Sequence, residues 1–199
     1  MTITVRDARS EEFEEIGRLT LQAYDGVGEM SPDYRRKLAD TAGRVADGAR
    51  VLVATEPDMD TQKVRGSVTF VEPGTSHLET PWACDAGFRM LAVDPSAQGR
   101  GIGTLLVHNC IDLAREHHRR RMVIYSMEWM SGAHRVYAAS GFTRRADLDV
   151  MFPAGAGIAF QFDLMADANA HFPPPGPVPA KPPWYVEAWE LAPGAQPLC

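Results

Sequence analysis

Three glycines at alternate positions, Gly99, Gly101 and Gly103, directly precede an apolar helical stripe in this 199-residue chain. A residue without a side chain lets another group come close to the backbone. The first amides of a helix have no partner inside the helix, and the helix dipole is positive at that end. The segment Asp94-Pro95 ends the strand before the loop, because proline cannot continue a ladder of hydrogen bonds. The order of strand, glycine loop and helix therefore predicts a site for a phosphate or a pyrophosphate.

Several phosphate-binding motifs use glycine loops, and their spacing separates them. A P-loop requires a lysine after its last glycine, and no lysine lies near this loop. A dinucleotide fingerprint, Gly-x-Gly-x-x-Gly, has its third glycine where this chain has Thr104. Glu128 follows the next strand about where a ribose-binding carboxylate belongs, so a dinucleotide stays open as an alternative.

The elements that must position this loop follow from apolar periodicity. We predict strands over 3–6, 50–55, 64–71, 88–93, 122–127, 143–152 and 158–165, and helices over 11–24, 34–46, 104–117 and 131–140. A long loop is expected over 72–87. Strands and helices mixed in this order indicate an α/β or α+β layered domain.

Two segments resemble one known family. The pattern Gln98-x-x-Gly101-x-Gly103 is similar to the Gln/Arg-x-x-Gly-x-Gly/Ala signature of the GNAT acetyltransferases. Downstream, Tyr137-x-x-x-Gly141-Phe142 resembles the second motif of that family. The resemblance covers roughly residues 3–165, and it implies one domain over 1–171 with a mixed sheet flanked by helices. That sheet is expected to be largely antiparallel, with one parallel pair splayed at the cofactor strand.

The resemblance also implies an activity, which is transfer of an acetyl group from acetyl-CoA to an amine in a ternary complex without a metal. The strand residues expected at the pantetheine arm are Leu91, Ala92 and Val93. The pyrophosphate cradle is expected from Gln98, Gly99, Arg100, Gly101, Ile102, Gly103 and Thr104. An amide in this stretch polarises the thioester carbonyl in such enzymes. Tyr137 is the expected donor of a proton to the departing CoA thiolate.

The family pattern and the chain differ at one position. Many members have an asparagine seven residues before the tyrosine, where this chain has Met130. A polar contact to the pantetheine region is therefore expected to be missing.

The acceptor amine must lose a proton before it attacks, because an alkyl amine with a pKa near 10.4 is only about 0.1% neutral at pH 7. A carboxylate beside the cofactor strand is a suitable base. The candidates are Glu79, Asp85, Asp25, Glu29 and Glu128. We favour Glu128, because sites collect where strands end beside a cofactor crevice.

Composition narrows the partners. A net charge of −6 argues against nucleic acid and fits a cationic small-molecule or peptide amine. The polar N-terminus and the lack of an apolar run near 20 residues argue against a signal peptide and a membrane span. The three widely spaced cysteines suggest neither a disulfide framework nor a zinc site, so a cytoplasmic location is expected.

Residues 172–199 differ from the rest of the chain. Seven prolines in 173–183 predict a stiff extended connector, which ends in a strand-like segment over 184–191. That segment is expected either to add to a sheet edge or to cover the acceptor site.

Two further alternatives remain open: a homodimer, and a non-catalytic module that binds acyl-CoA without turnover.

Overall fold

The structure is a computed structural model that describes residues 2–25, 30–58, 61–80, 84–152 and 154–164. The chain divides into two compact units. The first contains residues 1–70 and 88–109, and the second contains residues 71–87 and 110–199. The extension 172–199 and Glu29 lie outside the described residues.

The first unit is built from helices and a run of four neighbouring strands. Its elements are β1 (Thr4–Asp7), α1 (Phe13–Asp25), α2 (Pro32–Ala39), α3 (Thr41–Ala46), β2 (Arg50–Asp58), most of β3 (Thr61–Val71), the end of β4 (Asp85–Val93) and the start of α4 (Ile102–Glu116). The strand order is β1-β2-β3-β4, and β1 and β3 both run antiparallel to β2. Ile16 and Leu19 on α1 pack on Val51, Val53 and Ala92, so the helix buries one face on the sheet.

The second unit contains a parallel strand pair. Its elements are the start of β4, the end of α4, β5 (Arg121–Met127), α5 (Ser131–Ala139), β6 (Thr143–Arg144), β7 (Val150–Phe152) and β8 (Gly155–Asp163). The strand order is β4-β5-β8-β6, with β7 also on β8. The β4–β5 pair is parallel and joins two residue pairs, whereas β5, β6 and β7 all run antiparallel to β8. The mixed α/β fold is thereby confirmed.

The prediction of a single helix over 34–46 is wrong, because the helix is interrupted at Asp40. The Asp40 carboxylate accepts a hydrogen bond from the Gly43 amide at 2.7 Å and caps a new helix, α3. Arg44 is buried and donates to the carbonyls of Lys37 and Leu38, the last turn of α2. A buried arginine therefore satisfies the backbone groups that the break exposes, and burial lowers its pKa to about 10.

The loop predicted over 72–87 ends earlier than expected, because β4 begins at Asp85. Asp85 pairs in register with Arg121 at the start of β5, and both side chains are buried. A charged residue in a buried strand is hidden from an apolar-periodicity argument, since its partner lies 36 residues away.

The strand predicted over 143–152 is interrupted. A short 3-10 helix at Ala146–Leu148 separates β6 from β7, and it buries Leu148. β8 begins at Gly155, earlier than predicted, and Gly157 allows close packing because a Cβ there would meet the Phe152 ring at 2.2 Å. No helix among the described residues is long and apolar enough to cross a membrane.

Candidate functional site

The glycine loop begins with a turn that Asp94 caps at the end of β4. The Asp94 carboxylate accepts hydrogen bonds from the Ser96 amide at 2.9 Å and the Ser96 hydroxyl at 2.8 Å. The Asp94 amide donates to the Arg65 carbonyl of β3 at 2.9 Å, and the Ala97 amide donates to the Asp94 carbonyl. The chain therefore leaves the sheet along one defined path, as the Asp-Pro pair predicts.

The loop alternates between left-handed and ordinary backbone conformations. Gly99 has φ +76° and Gly101 has φ +77°, whereas Arg100 between them has a negative φ. Alternation of this kind turns successive amides toward one side and forms a concave anion site. A Cβ added at Gly99 or Gly101 would meet nothing within 4 Å, so the space beside both glycines is open.

The start of α4 brings amides that have no partner inside the helix to the same loop. The first helical bond is donated by the Leu105 amide to the Gly101 carbonyl, so the amides of 102–104 precede the first intrahelical bond. Ile102 and Leu106 are buried and anchor the helix. Gly66 on β3 permits this close packing, because a Cβ there would lie 3.0 Å from Ile102 and 3.0 Å from the Ala92 carbonyl oxygen.

A group of charged residues lies beneath the loop, and sequence reasoning missed two of its members, Glu56 and Arg65. The register of β2 and β3 shifts at Ala54 and Thr55, which leaves Arg65 as the extra residue of a bulge. The Arg65 guanidinium donates to Glu56 at 2.8 Å and to Asp94 at 3.2 Å. Arg100 in the loop donates to both Glu56 oxygens, at 2.6 and 3.3 Å. We call Glu56, Arg65, Arg100 and Asp94 the loop cluster.

Glu56 is the centre of the loop cluster. Its side chain is only 4% exposed, and two arginines bind it. The hydrogen bonds from Arg100 and Arg65 outweigh desolvation and lower the pKa of the Glu56 carboxyl to about 2. Glu56 is therefore an anion at every physiological pH. Arg100, predicted at the cofactor, has its guanidinium on Glu56 while its side chain stays 41% exposed.

The cofactor strand carries a backbone irregularity directly before the predicted pantetheine residues. Met90 is buried and has φ +53°, a region that a large side chain rarely adopts. Leu91 and Val93 are partly exposed after it, while Ala92 is buried. No sequence signal marks this position, because glycine is the usual residue for a left-handed conformation.

Tyr137 and Phe142 are joined by the C-terminal cap of α5. The Phe142 amide donates to the Tyr137 carbonyl at 3.0 Å, and the Gly141 amide donates to the Ala138 carbonyl at 3.1 Å. Gly141 has φ +91°, so the three residues form a Schellman motif. The Tyr137 ring is buried and lies 6.2 Å from the Phe142 ring and 5.5 Å from the Phe160 ring. The spacing Tyr-x-x-x-Gly-Phe thus fixes the place of the tyrosine.

Met130, where the chain departs from the family pattern, lies at the start of α5. Met130 is the N-cap residue, where an asparagine side chain would accept a hydrogen bond and a methionine side chain cannot. Glu128 lies just before it, in the turn after β5, and its side chain is exposed. The Glu128 amide donates to the Ala156 carbonyl of β8 at 3.3 Å, which ties this turn to the sheet.

The other candidate bases lie in different surroundings. Asp85 is fully buried and binds Arg121 through both oxygens, at 2.7 and 3.2 Å. Glu79 is buried, and Asp25 at the end of α1 forms an ion pair with Arg35. Among the candidates in the described residues, Glu128 is the exposed carboxylate at a strand end.

A match to a family model identifies the family of this chain. Residues 13–142, more than half of the chain, match the model of the acetyltransferase (GNAT) family. The chain belongs to the GNAT acetyltransferase family. The match spans both the glycine loop and Tyr137, and the dinucleotide alternative is set aside. No curated protein sequence matches this acetyltransferase.

Solved structures share the fold at low sequence identity. The protein yncA of Salmonella typhimurium, with its cofactor acetyl-CoA, is 22% identical at a TM-score of 0.61, over 86% of this chain and 99% of that chain. A phosphinothricin acetyltransferase of Sinorhizobium meliloti in complex with acetyl-CoA is 18% identical at 0.64, over 87% and 95%. The ribosomal-protein-S18-alanine N-acetyltransferase of Escherichia coli is 16% identical at 0.62, over 86% and 100%.

The residues of this acetyltransferase fit a pyrophosphate-bearing co-substrate such as acetyl-CoA. The two left-handed glycines leave open space that a side chain would fill, and the amides at the start of α4 precede its first helical bond. The described residues contain no group of three or more potential metal ligands.

Proposed function

We propose that this chain transfers the acetyl group of acetyl-CoA to a primary amine of a small molecule or peptide, by direct attack in a ternary complex. The observation that carries the proposal is the alternation of φ at Gly99, Arg100 and Gly101 directly before the free end of α4. A concave set of amides at a helix start binds a pyrophosphate in preference to an uncharged group. Membership of the family supplies the reaction class.

The cofactor residues divide into two groups. The amides of Gln98 to Thr104 hold the pyrophosphate, and Leu91, Ala92 and Val93 pair with the pantetheine arm as an added strand would. The left-handed Met90 reorients the backbone just before this segment. An amide in this stretch polarises the thioester carbonyl.

The chemistry needs one proton removed and one proton delivered. Glu128, directly or through a water, takes a proton from the acceptor ammonium, and the neutral nitrogen attacks the thioester carbon. The tetrahedral intermediate collapses as the carbon–sulfur bond breaks. Tyr137 gives its hydroxyl proton to the departing thiolate. The proton on the new amide nitrogen returns to the Tyr137 phenolate through solvent, and Glu128 releases its proton to solvent, so atoms and charge balance.

The acceptor is a cationic amine. The net charge of −6 supports this class, because an acidic surface attracts cations. The names of the similar structures include phosphinothricin and a ribosomal-protein alanine, so the fold is compatible with a small-molecule or a protein acceptor. We place the catalytic domain at 1–171 and treat 172–199 as an extension to it.

The proposal is tested by measuring release of the CoA thiol from acetyl-CoA with a panel of primary amines. Wild type should release thiol only when an accepted amine is present. Tyr137→Phe removes one hydroxyl and should lower kcat by about 10²- to 10⁴-fold, because a positioned proton donor contributes that much.

The matched control is Tyr34→Phe, which removes a hydroxyl from α2 outside both motifs and should leave kcat unchanged. If acetyl-CoA binds but no amine in the panel releases thiol, the chain is an acyl-CoA-binding module and the proposed catalysis is wrong. Equal kcat for Tyr137→Phe and wild type would remove Tyr137 from the mechanism.

A further inference from the structure

The loop cluster ties the glycine loop to the sheet at two points. Arg100 lies in the middle of the loop, and Arg65 reaches the Asp94 turn where the loop begins. Both guanidinium groups meet on the carboxylate of Glu56, near the end of β2. A single buried side chain therefore connects the start and the middle of the loop to one point of the sheet.

The chemistry of this connection is directional. Glu56 accepts from Arg100 through both of its oxygens and from Arg65 through one. Planar guanidinium groups bind a carboxylate in this way with fixed geometry. The Arg100 guanidinium carries five N–H bonds, and two of them make the contacts with Glu56. Arg100 can therefore bind Glu56 and still donate hydrogen bonds to another partner.

We propose that Glu56 is a positioning residue for acetyl-CoA, which acts through Arg100 to hold the glycine loop in its binding conformation. Two glycines with positive φ flank Arg100 and give the loop freedom that binding would have to remove. Ordering a long side chain such as that of Arg100 on binding costs about 0.5–1.5 kcal/mol, and a loop that is ordered in advance avoids that cost. The proposal rests on the proposed function, because it assumes that this loop binds acetyl-CoA.

The experiment is a titration with acetyl-CoA of wild type, Glu56→Gln, Arg100→Gln and the double variant. Glu56→Gln removes the charge at constant size and should raise the Kd by about 2- to 13-fold, the factor that corresponds to the ordering cost. In the Arg100→Gln background the same change should alter the Kd less than about 2-fold, because the residue it acts through is gone. For any amine that is turned over, KM for acetyl-CoA should rise while kcat and KM for the amine stay constant.

Two further variants separate positioning from general damage. Glu12→Gln is the matched control, since Glu12 also binds an arginine, Arg6, through both oxygens at 2.6 and 2.8 Å in the same unit. It should leave the Kd unchanged. Arg100→Lys keeps the charge on an exposed side chain but cannot bind both oxygens of Glu56, and it should weaken binding about as much as Glu56→Gln. Arg100→Lys also serves if Glu56→Gln does not fold.

The outcomes are distinct. If wild type does not bind acetyl-CoA, the proposed function fails first. If wild type binds and Glu56→Gln and Arg100→Lys bind equally well, the positioning role is wrong although the function stands. An undiminished effect of Glu56→Gln in the Arg100→Gln background would also overturn the proposal, since Glu56 would then act without Arg100.

Discussion

Two buried acid–arginine groups serve different ends in this protein. In the second unit, Asp85 and Arg121 form a single pair at the start of the parallel strands, with side chains 0% and 3% exposed. In the first unit, one carboxylate, Glu56, meets two arginines, one of which stays 41% exposed. The Asp85–Arg121 pair joins two strands, whereas Glu56 and its two arginines join the sheet to a loop.

The pKa directions reflect this difference. Desolvation raises the pKa of Asp85 despite the hydrogen bonds from Arg121. The hydrogen bond from Arg100 leads the opposite shift at Glu56, whose pKa falls to about 2. Desolvation is therefore the larger effect at Asp85, and pairing with arginine is the larger effect at Glu56. A tight ion pair such as Asp85–Arg121 is therefore not in itself a source of stability.

The largest effect on stability is expected when the Asp85–Arg121 pair of the second unit is broken. Asp85→Ala leaves Arg121 buried without its carboxylate and should lower the free energy of unfolding by about 3–5 kcal/mol. Chemical denaturation monitored by circular dichroism measures the loss. The acetyl-CoA Kd of the folded fraction should not change.

The control for this prediction replaces both partners. Asp85→Leu with Arg121→Met removes both charges at similar volume and should recover most of the lost stability. A double variant as unstable as Asp85→Ala would mean that the pair contributes more than the cost of a lone buried charge.

A smaller effect on Tm is expected at low pH, and its sign differs between the Glu56 and Asp85 carboxylates. Glu56 has a lowered pKa, so its stabilising contribution is complete above its ordinary value of 4.5 and is lost as the pH falls toward about 2. Asp85 has a raised pKa, so the cost of burying its charge is relieved as the pH falls. Between about pH 5 and 2.5, the Tm should fall less steeply for Glu56→Gln than for wild type, and more steeply for Asp85→Asn. Parallel Tm profiles for all three proteins would contradict the assigned shifts.

Local sequence patterns predicted the parts of the site that local geometry builds. The glycine loop before α4 depends on neighbouring residues, and so does the cap that spaces Tyr137, Gly141 and Phe142. Each element needs a special backbone conformation, and glycine marks it in the sequence.

The parts that the sequence did not reveal depend on distant partners. Glu56 binds Arg100 across 44 positions, and Asp85 binds Arg121 across 36. Charged residues in strands look like solvent-facing positions until the partner is known. The left-handed Met90 has no marker at all, because only the surrounding structure holds a large side chain there.

The central claim, that the loop from Gln98 to Thr104 binds acetyl-CoA, is tested most directly by isothermal titration of three proteins. Gly101→Glu places a side chain and a negative charge in the open space of the loop. Gly48→Glu is the matched control, because Gly48 also has positive φ, +91°, and open space around it. We predict that wild type and Gly48→Glu bind acetyl-CoA alike and that folded Gly101→Glu does not bind. Binding by Gly101→Glu as tight as by wild type, or no binding by wild type, would contradict the account.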